Sequence, residues 1–130
     1  MLLTKKNIVI VGGTSGIGFS AASAFVNEGA NVIAIGRKPD RITKTKKILG
    51  NHGTAIQGNA ADSTTAQEGI QLAVDEYGSL HGLYHVAGGS GRGKGDGPLH
   101  KISDEGWDYT LSTNLDAIFY SNRAAIKQFL

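Results

Sequence analysis

The sequence predicts an α/β fold in which a doubly wound parallel sheet carries helices on both faces. Short, wholly apolar segments rich in Val and Ile alternate with segments whose apolar residues recur at helical spacing. Glycine closes most of these segments, and 19 of the 130 residues are glycine, about twice the average usage. Such alternation is typical of βαβ units with right-handed crossovers.

Length and composition indicate one domain spanning residues 1–130. Hydrophobic residues make up 40% of the chain and charged residues 18%, which suffices for a core and excludes a disordered chain. The net charge of +2 is too small to indicate nucleic acid or a membrane surface as a partner. The absence of cysteine excludes a disulfide scaffold and a thiolate metal site. Because the apolar runs are short, we expect a soluble, cytoplasmic protein.

The first half of the chain predicts two strands and two helices. Residues 8–11 and 32–35 are continuous apolar runs with β-branched side chains, typical of strands buried on both faces. Residues 16–27 have helical periodicity, and Gly29 ends that helix. Residues 41–49 are basic and weakly amphipathic, and a preceding proline suits the first turn of a helix. The side chains expected to share the apolar face of the first helix are Ile17, Ala21, Ala24 and Phe25.

The second half continues the alternation. Residues 54–57 predict a third strand, residues 66–77 a third helix and residues 83–86 a fourth strand. Residues 88–98, rich in glycine, are expected to form a loop. Ser103 is the candidate N-cap of a final helix that runs towards the C-terminus. Trp107 is interpreted as a packing residue. The apolar side chains that lie roughly in line along this helix are Trp107, Leu111, Leu115, Ile118 and Phe119.

A glycine turn, residues 12–18 (GGTSGIG), lies where the first strand must pass into the first helix. A nucleotide site at such a junction needs a tight turn, a backbone open to a pyrophosphate and free amides at a helix N-terminus. Side chains at Gly12, Gly16 or Gly18 would obstruct one of these. No Gly-Lys-Ser/Thr follows, so the segment is not a P-loop. The context favours a dinucleotide site over a purely structural turn.

These residues resemble a known family, the short-chain dehydrogenases/reductases. The glycine turn resembles that family's Thr-Gly-x-x-x-Gly-x-Gly, with Val11 in place of the usual Thr. Residues 85–88 (HVAG) resemble its Asn-Asn-Ala-Gly segment, and Asn59 with Ala60 falls where the family has Asp and an apolar residue. Asn114 matches the helix asparagine of the family's Asn-Ser-Tyr-Lys catalytic set. The resemblance implies the N-terminal half of a Rossmann-type sheet with strand order 3-2-1-4.

The resemblance also implies a nicotinamide dinucleotide site. Amides from Ser15 to Gly18 would face the pyrophosphate, with hydroxyls from Thr14 and Ser15. Asn59 would lie at the adenine edge, and Ala87 and Gly88 would pass under the ribose unless they are simply a strand end. The residues that the resemblance places on the cofactor are Gly12, Thr14, Ser15, Gly16, Ile17, Gly18, Asn59, Ala60, Ala87 and Gly88.

The end of the second strand decides between NAD and NADP. An NAD site carries an acidic side chain about 20 residues beyond the glycine turn, whereas this chain has Arg37 followed by Lys38. A guanidinium can pair bidentately with a 2′-phosphate, so NADP(H) is predicted at Arg37. NAD remains possible because Asp40 could bend back to the ribose, and both cations could be solvated surface charges.

Two histidines in the region of the fourth strand, His81 and His85, have the spacing of a metal pair on a helix. They fall on a strand or loop, however, and no carboxylate lies between them. No metal site is therefore predicted.

The catalytic Tyr-x-x-x-Lys pair of the family does not occur. The residues four positions after Tyr77, Tyr84, Tyr109 and Tyr120 are His81, Gly88, Thr113 and Ala124. The chain is thus expected to be a fragment of a longer enzyme or a natural truncation. Two functions remain open: an NADP-dependent oxidoreductase acting on an alcohol or carbonyl, or a non-catalytic nucleotide-binding or interaction module. We predict the first, with the 130-residue chain inactive alone and the complete protein a homo-oligomer.

Overall fold

The computed structural model describes residues 1–130 and contains a four-stranded sheet with the order β3-β2-β1-β4. The strands are β1 (Asn7–Val11), β2 (Asn31–Gly36), β3 (Gly53–Gln57) and β4 (Gly82–His85), all paired in parallel. The helices are α1 (Gly16–Asn27), α2 (Pro39–Leu49), α3 (Thr65–Tyr77), α4 (Asp104–Leu111) and α5 (Ala117–Phe129). A π-helical turn, Ser112–Asp116, joins the last two helices. The predicted fold class and strand order are confirmed.

Two hydrophobic clusters cover the two faces of the sheet. Successive side chains of a strand point to opposite faces, so the continuous apolar runs of β1 and β2 serve both clusters. Val9 and Val11 face α3 and α5, whereas Ile10 faces α1 and α2. All three are fully or almost fully buried, and burial of such a side chain contributes about 1.5–3 kcal/mol.

The parallel register brings three strand ends to one edge of the sheet. Val11 at the end of β1 pairs with Ile35 of β2 on one side and with His85 of β4 on the other. After β3 the chain crosses to the opposite side of β1 to form β4. In open α/β sheets, ligands bind in the crevice at such a reversal of strand order, outside the carboxyl ends of the strands.

The glycine-rich segment after β4 is tied to α4 rather than extending freely. It contains a short 3₁₀ turn, Arg92–Lys94, and the Thr110 hydroxyl donates to Asp96 Oδ2 at 2.9 Å. Ser103 is the N-cap of α4, as predicted, because its Oγ accepts from the Gly106 N–H at 3.0 Å.

Two expectations about helix faces are wrong. Ile17 is 70% exposed, because the first turn of α1 lies beside the strand ends rather than over the sheet. Trp107 is 53% exposed. Three other apolar side chains that were expected in line with it along the final helix are also exposed, namely Leu115, Ile118 and Phe119. The buried face of α5 consists instead of small residues spaced four apart, namely Ala117, Ser121 and Ala125, which allow close packing. None of the helices is long and apolar enough to span a bilayer.

Candidate functional site

A cleft of about 370 Å³ lies at the carboxyl ends of β1, β2 and β4, within the usual size range of small-molecule sites. The predicted site residues that line it are Gly12, Thr14, Ser15, Arg37, Asn59, Ala60, Ala87 and Gly88. Gly16, Ile17 and Gly18 are outside its lining but form the first turn of α1, directly after Ser15. Asn114 is also outside the lining and adjoins it through Gly88.

Three of the four glycines of the turn, Gly12, Gly16 and Gly18, are needed for different reasons. Gly12 has a φ of +88°, and a Cβ there would lie 2.6 Å from the Ala87 nitrogen. A Cβ on Gly18 would overlap the Gly12 carbonyl oxygen. Gly16, with a φ of +52°, faces open space, since a Cβ there would meet no atom within 4 Å. Packing therefore explains Gly12 and Gly18, while the space beside Gly16 fits the approach of a dinucleotide pyrophosphate.

The N-terminus of α1 offers uncapped amides at the same place. Ser15 is the N-cap residue, yet its side chain makes no capping hydrogen bond, and the first turn contains no acidic residue. The first N–H groups of a helix have no partner within the helix, and the helix dipole makes this end attractive to anions. Thr14 is buried and packs its side chain against Gly36, which fastens the turn to the end of β2.

The end of β2 makes the cleft electropositive. Arg37 and Lys38 line it directly after the strand, and Arg41 lines it from the first turn of α2. No carboxylate is among the lining residues, and Asp40 is not one of them. The Arg37 carbonyl accepts a hydrogen bond from Gln57 Nε2 at 3.0 Å, which fixes the backbone there. Sequence reasoning missed Arg41, although its position at the beginning of the helix that directly follows Arg37 and Lys38 was a usable signal.

Asn59 and its two neighbours line the cleft after the end of β3, the strand next to β2. Its Oδ1 accepts from the Ala61 N–H at 3.0 Å, a local turn that places Ala60 and Ala61 on the wall. The side chain is therefore held by its own backbone beside the cations of β2 and α2.

The segment after β4 is anchored to β1 and α5. The Val86 and Ala87 N–H groups both donate to the Val11 carbonyl, at 2.8 and 3.0 Å. The Ala87 carbonyl lies 2.9 Å from His85 Nε2, and His85 Nδ1 lies 2.7 Å from Ser121 Oγ. Burial lowers the pKa of His85 below its usual value, against a smaller raising effect of the Ala87 hydrogen bond.

Asn114 holds the next residues of that segment. Its side chain bonds to the backbone of Gly89 and to the Thr110 carbonyl from within the π-helical turn. On the same side, α4 and this turn contribute to the cleft three residues that sequence reasoning missed: Tyr109, Ser112 and Thr113. Their spacing of three and four residues is that of one helix face, which was the available signal.

The two histidines near β4 lie at opposite ends of the strand and have different hydrogen-bond partners. His81 lies before the strand, where its Nδ1 accepts from the Asn7 N–H at 3.0 Å at the beginning of β1. His85 ends the strand beside the cleft.

Comparisons with known proteins agree with this arrangement. The family model described as short chain dehydrogenase matches residues 6–130. An oxidoreductase of Sarocladium schorii is 34% identical over 124 residues, which are 95% of this chain and 48% of that protein. The 2-(S)-hydroxypropyl-CoM dehydrogenase 3 of Xanthobacter autotrophicus is 32% identical over 131 residues, 98% of this chain and 50% of that one.

A solved structure supports the fold. The short-chain dehydrogenase/reductase of Serratia marcescens superposes with a TM-score of 0.88 at 24% identity, covering 98% of this chain and 52% of that chain. The chain spans about half the length of the curated relatives that it matches. The family match extends over nearly the whole chain and includes the glycine turn, so the chain belongs to the short-chain dehydrogenase family.

Proposed function

We propose that the cleft binds NADP(H), and that the protein is an oxidoreductase that transfers hydride between this cofactor and an alcohol or carbonyl substrate. The observation that carries the choice of NADP is the set of three cations at the end of β2, Arg37, Lys38 and Arg41, with no carboxylate in the lining. A guanidinium suits a 2′-phosphate, whereas the ribose 2′-hydroxyl of NAD is usually met by a carboxylate.

The remaining walls supply the other contacts of the dinucleotide. Uncapped amides at the beginning of α1 would hold the pyrophosphate, beside the open space at Gly16. Asn59 and Ala60 would border the adenine, and Ala87 with Gly88 would support the ribose. NAD could enter the same cleft, but without a partner for the basic side chains.

The bound nicotinamide would supply or accept the hydride. Asn114 would act by holding Gly89, and thereby the wall of the cleft beside it, in place. No Tyr followed four residues later by Lys occurs among these 130 residues. We therefore propose that the 130-residue chain alone binds the nucleotide without turnover.

A non-catalytic nucleotide-binding or interaction module is the second candidate. The Tyr-x-x-x-Lys pair, which supplies the proton in the chemistry that the family resemblance implies, does not occur among these 130 residues. Both candidates share the nucleotide site and differ in whether the protein from which these residues come reduces a carbonyl.

We further propose that the protein forms homo-oligomers. Helix α5 exposes a row of large apolar side chains, Ile118, Phe119, Ile126 and Phe129, and β4 forms an edge of the sheet. Exposed apolar patches and unpaired strand edges favour association.

The test is a calorimetric titration of the chain with each of four ligands: NADPH, NADH, ADP-ribose and 2′-phospho-ADP-ribose. We expect NADPH to bind roughly tenfold or more tightly than NADH, and 2′-phospho-ADP-ribose to bind more tightly than ADP-ribose by the same factor. One charge-assisted hydrogen bond to the 2′-phosphate provides a difference of this size. Equal affinities within each pair would refute the NADP assignment, and no binding of any of the four would refute the nucleotide site. An NADPH-oxidation assay with a carbonyl panel, on the chain and on any longer product of the same reading frame, separates the two candidates.

A further inference from the structure

The His85 imidazole connects β4 to α5 directly behind the cleft. Its Nε2 lies 2.9 Å from the Ala87 carbonyl oxygen, and its Nδ1 lies 2.7 Å from Ser121 Oγ. Ser121 is only 1% exposed, on the face of α5 that packs inward. His85 does not line the cleft, yet both of its ring nitrogens are engaged by neighbours that fix the ring.

These two contacts define one tautomer of the neutral ring. A carbonyl oxygen can only accept, so Nε2 must carry the proton that it donates to Ala87. Nδ1 of the neutral ring is then an acceptor and receives the Ser121 hydroxyl proton. The same hydroxyl also lies 3.1 Å from the Ile118 carbonyl, but the contact with Nδ1 is shorter. Because burial lowers the pKa of His85, the neutral ring is the form favoured in the fold.

The residue held by this ring, Ala87, lines the cleft and lies against the glycine turn. The Ala87 N–H donates to the Val11 carbonyl at 3.0 Å, so both polar groups of the Ala87 backbone are engaged. A Cβ on Gly12 would lie 2.6 Å from the Ala87 nitrogen, which shows how closely the glycine turn approaches Ala87. A small rotation of the Ala87 peptide would therefore move the wall formed by Ala87 and Gly88.

We propose that His85 is a positioning residue for the nucleotide: its Nε2–H holds the Ala87 carbonyl, and thereby sets the wall of Ala87 and Gly88 against the glycine turn. The inference rests on the proposed nucleotide binding. Ser121 serves as the anchor that keeps the ring in this orientation. Because the wall is fixed by a hydrogen-bond donor and not by bulk, a side chain that restores the donor should restore binding.

A set of variants distinguishes this role from simple packing. His85→Leu fills a similar volume without a donor, whereas His85→Gln can present an amide N–H to the Ala87 carbonyl. Ser121→Ala removes only the anchor. His81→Leu is the matched control, since this histidine also bonds to backbone but lies at the opposite end of β4.

The first measurement is NADPH affinity by fluorescence titration, with circular dichroism to verify folding. We expect His85→Leu to bind about tenfold more weakly, corresponding to the loss of one hydrogen bond, and His85→Gln to stay within about threefold of wild type. Ser121→Ala should fall between them, and His81→Leu should bind as wild type does. A folded His85→Leu variant with wild-type affinity would overturn the proposal, as would equal losses in the Leu and Gln variants.

The second measurement does not need the nucleotide. Long-range ¹⁵N–¹H spectra at pH 7.5 should show His85 as the Nε2–H tautomer, and amide exchange at Ala87 and Gly88 should be faster in His85→Leu but not in His85→Gln. An Nδ1–H tautomer, or unchanged exchange in a folded His85→Leu variant, would contradict the proposal. If His85→Leu does not fold, the proposal is tested by the tautomer of His85 in the wild type and by the NADPH affinity of Ser121→Ala. An Nδ1–H tautomer, or wild-type affinity in Ser121→Ala, would then overturn it. If wild type binds no NADPH, the proposed function fails, while these spectra still decide whether His85 holds Ala87.

Discussion

The side-chain amide of Asn114 pairs with both polar groups of the Gly89 backbone. Its Oδ1 accepts from the Gly89 N–H at 3.0 Å, and its Nδ2 donates to the Gly89 carbonyl at 2.9 Å. Nδ2 also donates to the Thr110 carbonyl at 2.9 Å, within the helical segment where the π-helical turn interrupts α4 and α5. Such interruptions occur frequently at functional sites. Here the interruption and the loop after β4 are joined through one side chain.

Replacing Asn114 by Ala should loosen that loop. The change removes the partner of both Gly89 groups, but Gly89 is exposed, so water can replace that partner. We therefore expect the free energy of unfolding to fall by about 0.5–1.5 kcal/mol, the net contribution of a typical hydrogen bond, and NADPH binding to weaken. Urea denaturation and nucleotide titration measure the two effects. Asn122→Ala is the matched control, because Asn122 is exposed and makes one bond to the carbonyl four residues earlier, and it should change stability by less than about 0.5 kcal/mol. Equal effects of the two substitutions would contradict the role of Asn114.

Replacing Gly16 by Val should abolish nucleotide binding while leaving most of the fold. The β-branched side chain would occupy the open space beside the beginning of α1, where the pyrophosphate must approach. Gly50→Val controls for backbone strain, since Gly50 also has a positive φ (+55° against +52°) and open space, but lies at the C-terminal end of α2 and not in the glycine turn. Circular dichroism and fluorescence titration compare the variants. If folded Gly16→Val bound NADPH at full strength, the pyrophosphate would have to lie elsewhere.

Replacing Arg37 by Asp should shift the preference from NADPH towards NADH. The substitution removes a cation and adds a carboxylate that can meet a ribose 2′-hydroxyl, and we expect NADPH binding to weaken by about 1.5–3 kcal/mol. Lys47→Asp carries the same charge change on the last turn of α2, away from the cleft lining, and should leave the preference unaltered. Titration of each variant with both nucleotides provides the comparison. An Arg37→Asp variant with undiminished NADPH affinity would exclude contact with the 2′-phosphate.

Replacing His85 by Gln should reduce the loss of stability in acid. Because burial lowers the pKa of His85 in the fold, the unfolded chain binds its proton more readily, with a reference value of 6.5. The stabilisation by neutral His85 is therefore present above about pH 6.5 and is lost as the pH falls through the folded pKa. Urea denaturation of wild type and His85→Gln at several pH values from 8 to 5 should show the steeper decline in wild type. Identical pH profiles of the two proteins would mean that His85 has the same pKa in the folded and the unfolded chain.

Replacing Ile118 and Ile126 together by Lys should reduce self-association. Both side chains are exposed on α5, so the charges would make a buried apolar interface there costly without disturbing the core. Sedimentation velocity at several concentrations should show a shift towards monomer. The control is Ile48→Lys, an exposed isoleucine of α2, which should not alter the distribution. An unchanged distribution in the double variant would place the interface on another surface.

Local features of the sequence predicted most of the secondary structure. The runs at 8–11 and 32–35 predicted strands buried on both faces, and they form the centre of the sheet. Periodicity also placed Ile17 on the apolar face of α1, and Trp107 was interpreted as a packing residue, yet both side chains are more than half exposed. Helical spacing identifies which side chains share a face, but it does not determine whether another element covers that face.

The sequence by itself determined the strands, the glycine turn and the family, because each depends on residues close together in the chain. Only the tertiary structure placed Arg41 and Tyr109 in one cleft, since parallel pairing gathers strand ends and helices that are far apart in sequence. The bond between His85 and Ser121 spans 36 residues and likewise has no local signature. A hydrogen bond across such a distance depends on the docking of α5 against β4, which emerges only when the sheet and its helices pack together.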